Sequence, residues 1–226
     1  MGTIHVNWLA GLSLIFGPTI AFVFFLVEPG GLLIDSADVS DAVGTITAKG
    51  ANATLTNVTN IAIILGLALI LSGLYALMRN VTLQGNGKAL VQMGFFMIFI
   101  GLTGWILTGG MDFVLADAQT SDEISGRVPV YYVGSALHYA GGITLGFGSA
   151  MFALGLSTRD DFDRIVSLLA TLVSLAVMVF FMVAVLSSDN RDTFITLARG
   201  CYVLLVLWFG YLGYGLMRRP DPDLWR

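Results

Sequence analysis

The sequence predicts an all-α fold, a polytopic integral membrane protein in which six transmembrane helices form a bundle with a small extracytoplasmic loop and hairpin region. Three observations carry this. The 226 residues are 56% apolar and 12% charged, with a mean hydropathy of +0.84, whereas a soluble domain carries roughly a quarter charged residues. Six charge-poor stretches each approach or exceed the about 20 residues that cross a ~30 Å hydrocarbon layer. Runs such as Ile61-Ala62-Ile63-Ile64-Leu65 also lack the alternation of barrel strands. Such a composition excludes an ordinary water-soluble enzyme, a disordered tail and a collagen-like fibre. The single cysteine excludes a disulfide-stapled secreted domain.

The predicted spans are 8–27, 60–78, 89–111, 130–156, 165–186 and 194–217, the last interrupted by Arg199. Together they read as one transmembrane domain covering 1–226. The first span has no Lys or Arg before it and no small-residue cleavage site before Glu28-Pro29-Gly30-Gly31, so it is expected to be a retained helix rather than a signal peptide. Pro18 lies near its middle and should kink it.

Orientation follows from the basic residues, because short loops rich in Lys and Arg resist translocation. Arg79, Lys88, Arg159, Arg164, Arg218, Arg219 and Arg226 fall on one side; Lys49, Arg127, Arg191 and Arg199 fall on the other. With the acids included, the first side is +2 and the second −6. The expectation is a multi-pass protein of the cell membrane with both termini in the cytoplasm, and outer loops at 28–59, 112–129 and 187–193. Within the first loop, residues 44–56 alternate β-branched and small side chains around Lys49-Gly50, which predicts a hairpin. A two-stranded ribbon is marginal alone, so it should rest on the bundle, the second loop or a neighbouring subunit. Asn52-Ala53-Thr54, Asn57-Val58-Thr59 and Asn80-Val81-Thr82 match the glycosylation pattern, but the third lies on the inner side of this topology and the pattern is uninformative.

Helices in lipid associate where small side chains let backbones approach. Gly134, His138, Gly142, Gly146 and Ala150 recur every four residues and mark a packing stripe that should place the fourth span centrally. His138 then lies roughly 12 Å into that helix, where an ionisable side chain should face protein or water. It is read either as a neutral imidazole bonded to a backbone carbonyl or hydroxyl, or as a ligand contact. Arg199 lies near the outer interface, where it can snorkel or turn inward to Glu28, Asp112 or Asp192. Together with Tyr131, Tyr132, Trp105, Tyr139 and Tyr202, these residues define the one place where titratable and aromatic groups converge. An aromatic belt accounts for part of the same list.

No catalytic residue is nominated. The chain has no Walker A lysine loop, HExxH, CxxC or Gly-x-Ser-x-Gly, and Cys201 alone in an apolar helix reads as an inert thiol. The scattered basic residues give no footprint for nucleic acid. Three functions stay open. The first is a non-catalytic membrane subunit or homo-oligomer that packs against partner subunits, or its own copies, through small-residue faces and outer loops in membrane lipid. The second is a binding or transport protein for a small amphipathic or anionic molecule, such as a lipid or quinone. It would use an outward-facing pocket formed by His138, Arg199, Asp112, Glu28, Trp105, Tyr139 and Tyr202. The third is an electron-transfer subunit carrying haem or a pigment on His138. His5 is the other histidine and lies at the opposite side, so two histidines of one chain cannot clamp a haem. The sequence names no cofactor, and no metal ligands are nominated.

Overall fold

A computed structural model describes residues 6–82, 85–187 and 189–219. His5 and the chain after Arg219 lie outside the described residues. Seven helices follow in order: α1 (Val6–Leu26), α2 (Ala42–Ala51), α3 (Ala53–Thr82), α4 (Lys88–Ala116), α5 (Ser121–Ser157), α6 (Arg164–Leu186) and α7 (Arg191–Met217). All but α2 are long and apolar enough to span a bilayer, so the chain is a multi-pass membrane protein. The six long helices close a ring in chain order: α1 packs on α3, each later helix packs on the next, and α7 returns to α1. α2 lies against α3, α4 and α5 at one end of this ring.

The long helices outrun the predicted spans because hydrophobicity marks the hydrocarbon layer, whereas a capped helix continues into polar sequence. Residues 112–129 were expected to be a loop, yet Asp112 belongs to the last turn of α4 and α5 already begins at Ser121. Thr120 and Glu123 build the start of α5 as a reciprocal capping box, each satisfying a backbone donor that the first turn leaves open. Pro129 then falls inside α5 and not before it. α5 runs 37 residues, roughly 55 Å, and so extends past the membrane layer. Similarly, Asp163 caps α6 by accepting from the backbone N–H groups of Ile165 and Val166. α1 remains a continuous helix through Pro18.

The expected hairpin is absent. Residues 44–51 belong to α2, and among the described residues there is no strand, only an isolated bridge between Pro29 and Ile34. Asp41 supplies the reason: its Oδ1 accepts from Gly44 N at 2.8 Å and starts a helix, which satisfies its backbone without a partner strand. That helix buries Thr45, Ile46, Ala48 and Lys49, and Ile46 packs with Leu115 and Ala118. Thr56 Oγ1 donates to the Lys49 carbonyl at 3.1 Å and closes its last turn.

Glycine sets how near the helices come. A Cβ on Gly101 would lie 2.7 Å from the Gly141 carbonyl oxygen, and one on Gly94 2.7 Å from that of Gly148, so α4 and α5 touch backbone to backbone. Gly17 and Gly66 join α1 to α3 in the same way, at 2.8 and 2.7 Å. α5 is the most buried span, at 67% of its apolar window against 33% for each of the others. It is nevertheless a member of the ring and not its axis, contrary to the central position expected for the fourth span. At the end opposite α2, Arg159 donates to the Val81 carbonyl at 3.0 Å, and Asp161 pairs with both Arg159 and Arg219 at 2.9 Å. Partial burial opposes ionisation of Asp161, but the two arginines prevail and hold its carboxyl below the usual value.

Gly101→Leu is therefore expected to destabilise the bundle by about 1–3 kcal/mol through overpacking. Gly200→Leu, at a position with open space around it, should leave stability within about 0.5 kcal/mol. Unfolding of the two variants in the same detergent measures the difference.

Candidate functional site

Three segments deliver charge to the α2 end of the ring. Glu28 follows α1 in a tight turn whose Gly31 N–H donates to the Glu28 carbonyl at 3.0 Å, with Gly30 at φ +77°. Lys49 lies in the last turn of α2, and Asp112 in the last turn of α4. Lys49 Nζ sits 2.5 Å from Glu28 Oε1 and 2.5 Å from Asp112 Oδ1. The residues are 8%, 6% and 9% exposed for Glu28, Lys49 and Asp112, so the cluster is out of water. Burial alone would drive the Lys49 ammonium toward neutrality, but the carboxyls of Asp112 and Glu28 outweigh it and hold its pKa above the ordinary lysine value.

Beneath this cluster, α1, α3, α4, α5 and α7 enclose a cavity of about 220 Å³. All seven candidate ligand residues line it: Glu28, Trp105, Asp112, His138, Tyr139, Arg199 and Tyr202. Trp105 is two helical turns, about 10 Å, below Asp112. Its indole stacks on the His138 imidazole, with centroids 5.3 Å apart and planes 13° apart, and meets Tyr202 edge-on at 5.3 Å. Trp105 Nε1 donates to the His138 carbonyl at 3.0 Å, which fixes the α4 side of this wall to α5. Below it the lining is apolar, from Leu67, Ile70, Leu102, Leu145, Leu205 and Phe209.

Three residues that line this space carry a donor without a partner among the described residues. Arg199 Nε and the hydroxyls of Tyr139 and Tyr202 are buried and make no hydrogen bond. The Arg199 guanidinium lies over the Phe25 ring at 5.4 Å, and among the described residues no carboxylate forms an ion pair with it. Polar groups cut off from water are ordinarily satisfied, so three unpaired donors around one cavity call for acceptors. At the rim, Tyr131 donates to the Val39 carbonyl at 2.7 Å and Val39 N donates to Asp192 at 3.2 Å. Hydrogen bonding with Asp192 and Ser40 holds the Asp38 carboxyl down at about 2.

Two expectations about charge change. Glu28 and Asp112, offered as partners of Arg199, are both taken by Lys49, which the sequence placed in a loop and left without a role. The signal was present in the burial pattern of α2, where Thr45, Ile46, Ala48 and Lys49 follow helical spacing, but the β-branched alternation concealed it. Asn60 is a second residue passed over: it is 1% exposed and lines the cavity from α3.

The packing stripe divides between neighbours. Gly142 meets the Phe181 ring, and Gly146 meets Met178 and Ser174 of α6. Ala150 is buried at 4% exposure. Gly134 instead lines the cavity, with nothing nearer than Met111 Sδ at 3.6 Å from where a Cβ would stand. The closest α4 contacts use Gly141 and Gly148, outside the stripe. Among the described residues no group of three His, Cys, Asp or Glu side chains is arranged to hold a metal ion.

Comparison with known proteins adds no relative: no family model, no curated protein and no solved structure matches the chain.

Removing Lys49 strands two buried carboxyls. Lys49→Met is expected to cost about 3–5 kcal/mol, with proteolysis of segment 27–52 increasing before the six long helices unfold. Because the folded pKa of Lys49 exceeds its unfolded value of 10.5, this contribution is fully present below that pH. It is lost only as pH rises through the folded value. Unfolding followed from neutral to strongly alkaline pH should show stability falling at the alkaline end in wild type, and less so in Lys49→Met.

Proposed function

We propose that this chain binds, and in a membrane setting transports, a small amphipathic molecule whose head carries negative charge or hydrogen-bond acceptors. The observation that carries the reading is that three unpartnered donors, Arg199 Nε, Tyr139 Oη and Tyr202 Oη, belong to residues lining one cavity whose deeper wall is apolar. The shape of the lining supports this division. Charged and hydroxyl groups gather toward the α2 end, the stacked Trp105 and His138 rings form a flat wall, and aliphatic side chains follow. A planar acceptor-bearing head with a short apolar body, as in a quinone, matches it in sequence from mouth to floor. At about 220 Å³ the space exceeds the ~150 Å³ apolar cavity that takes benzene, which suits a ring-sized head better than a whole phospholipid.

In this reading the pocket opens to the outer side. Both termini are cytoplasmic, on the strength of the basic residues gathered at the Arg159 end, and the host is the cell membrane. Arg199 supplies the counter-charge, and His138 with the two tyrosines supplies hydrogen bonds. Packing as a subunit of a larger assembly stays as a second reading, favoured by one observation: Gly200, Gly210 and Gly215 of α7 have no atom within 4 Å of an added Cβ, leaving room for another helix to approach.

Native mass spectrometry of the protein purified in mild detergent tests the first reading. Wild type should carry a bound amphipathic molecule, and Arg199→Ala and His138→Ala should each lose it while the protein keeps its assembly state and fold. Retention of the same molecule by both variants would overturn the pocket reading. Topology has its own check. Single cysteines introduced in place of Asp38 and Arg218 should react with a membrane-impermeant thiol reagent from opposite faces of sealed vesicles, Asp38→Cys from the outer one.

A further inference from the structure

We propose that Glu28, Lys49 and Asp112 form a proton-binding site, which holds one proton between its two carboxyl groups at neutral pH and releases it into the cavity as pH rises. Each carboxyl is 2.5 Å from the same ammonium, so the two oxygens that meet Lys49 Nζ lie within about 5 Å of each other. Ionised carboxylates only accept hydrogen bonds. A proton on one of two neighbouring carboxyls makes it a donor to the other.

Charge accounting leads the same way. With both acids ionised, one lysine leaves a net charge of −1 in a place where none of the three residues is more than 9% exposed. An uncompensated buried charge is strongly disfavoured, and two carboxylates sharing a site do not both ionise readily. One added proton gives an ammonium, a carboxylate and a carboxylic acid, which sum to zero.

Among the described residues the surroundings supply no other neutralising partner. α2 contributes Thr45 besides Lys49, α3 contributes Asn60, and α5 contributes Tyr131 and His138; α4 and the end of α1 contribute the two acids themselves. Arg199 of α7 acts on Glu28 only at a distance, and Asp192 offsets it. No lining residue comes from α6. Because Glu28, Lys49 and Asp112 all line the cavity, the released proton passes from the carboxyl O–H to water or to an acceptor held there. The inference goes beyond ligand binding and stands without it.

Infrared difference spectroscopy on protein in phosphatidylcholine vesicles, which carry no free carboxyl group, reads the site directly. Wild type at neutral pH should show the carbonyl stretch of an un-ionised carboxylic acid, and the band should vanish in a one-proton transition as pH rises. Glu28→Gln and Asp112→Asn should each abolish it, because the remaining carboxylate then pairs one to one with Lys49. Asp192→Asn, which alters the rim pair with Asp38, should keep it. No band in wild type at neutral pH, a band that survives either cluster substitution, or one lost with Asp192→Asn would overturn the proposal. Should a cluster variant fail to fold, wild type and Asp192→Asn decide: a titrating band common to both supports the site, and its absence from either overturns it.

Discussion

A lysine drawn out of water between two carboxyl groups fixes the α2 end of the molecule. α2 is ten residues long, too short to be stable in isolation, and its apolar contacts are few. Lys49 joins it at once to the turn after α1 and to the end of α4, three segments far apart in the chain. A buried ion pair seldom adds much net stability compared with an apolar replacement. What it does supply is position, since α2 is held where Nζ meets both acids at 2.5 Å. The same placement seats Gly50 against the Ala118 carbonyl and lays α2 across the end of the cavity. Register and enclosure thus come from one side chain.

The cavity itself follows from the ring. Six helices packed each on its neighbours leave an axial space that a central helix would otherwise occupy, and side chains from five of them reach into it. Close backbone approaches through Gly17 with Gly66, and through Gly101 with Gly141, draw the walls together. They narrow the space without filling it. Interiors are ordinarily packed to crystal density, so a cavity that persists beside such tight contacts reflects the choice of lining residues and not slack between helices.

How much of this was legible in the sequence depended on which physical signal each feature leaves. The six spans were readable because a run of apolar residues is required by the bilayer and has few other causes. Their ends were not, since Thr120, Glu123 and Asp163 extend helices through capping that hydropathy does not register. The seven cavity residues were found because ionisable and aromatic groups near one membrane face are scarce. Lys49 was missed because Thr45, Ile46 and Thr47 resemble a strand when read pairwise, and only the cap at Asp41 turns them into a helix. The glycine stripe was half informative for a geometric reason. A four-residue step advances about 40° beyond a full turn of helix, so the line from Gly134 to Ala150 wanders from the cavity to α6. Gly141, Gly148 and Gly155 repeat every seven residues, drift far less, and stay against α4.

Gly134 bears most directly on what the cavity is for. At Gly141, Gly146 and Gly148 of α5 a neighbour requires glycine: a Cβ there would stand less than 3 Å from another helix, whereas Gly126, near the start of α5, has open space around it. At Gly134 the nearest atom would be 3.6 Å away, an ordinary contact, so packing does not demand glycine there. A bulkier side chain there would take up part of the cavity that Gly134 lines. Glycine in a helix costs about 1 kcal/mol relative to alanine, and an added Cβ at this position would meet only ordinary contacts. Arg199, which among the described residues forms no direct ion pair with a carboxylate, is a costly choice in an apolar helix in the same sense. Gly134 and Arg199 line the same cavity, and a molecule bound there would account for both choices.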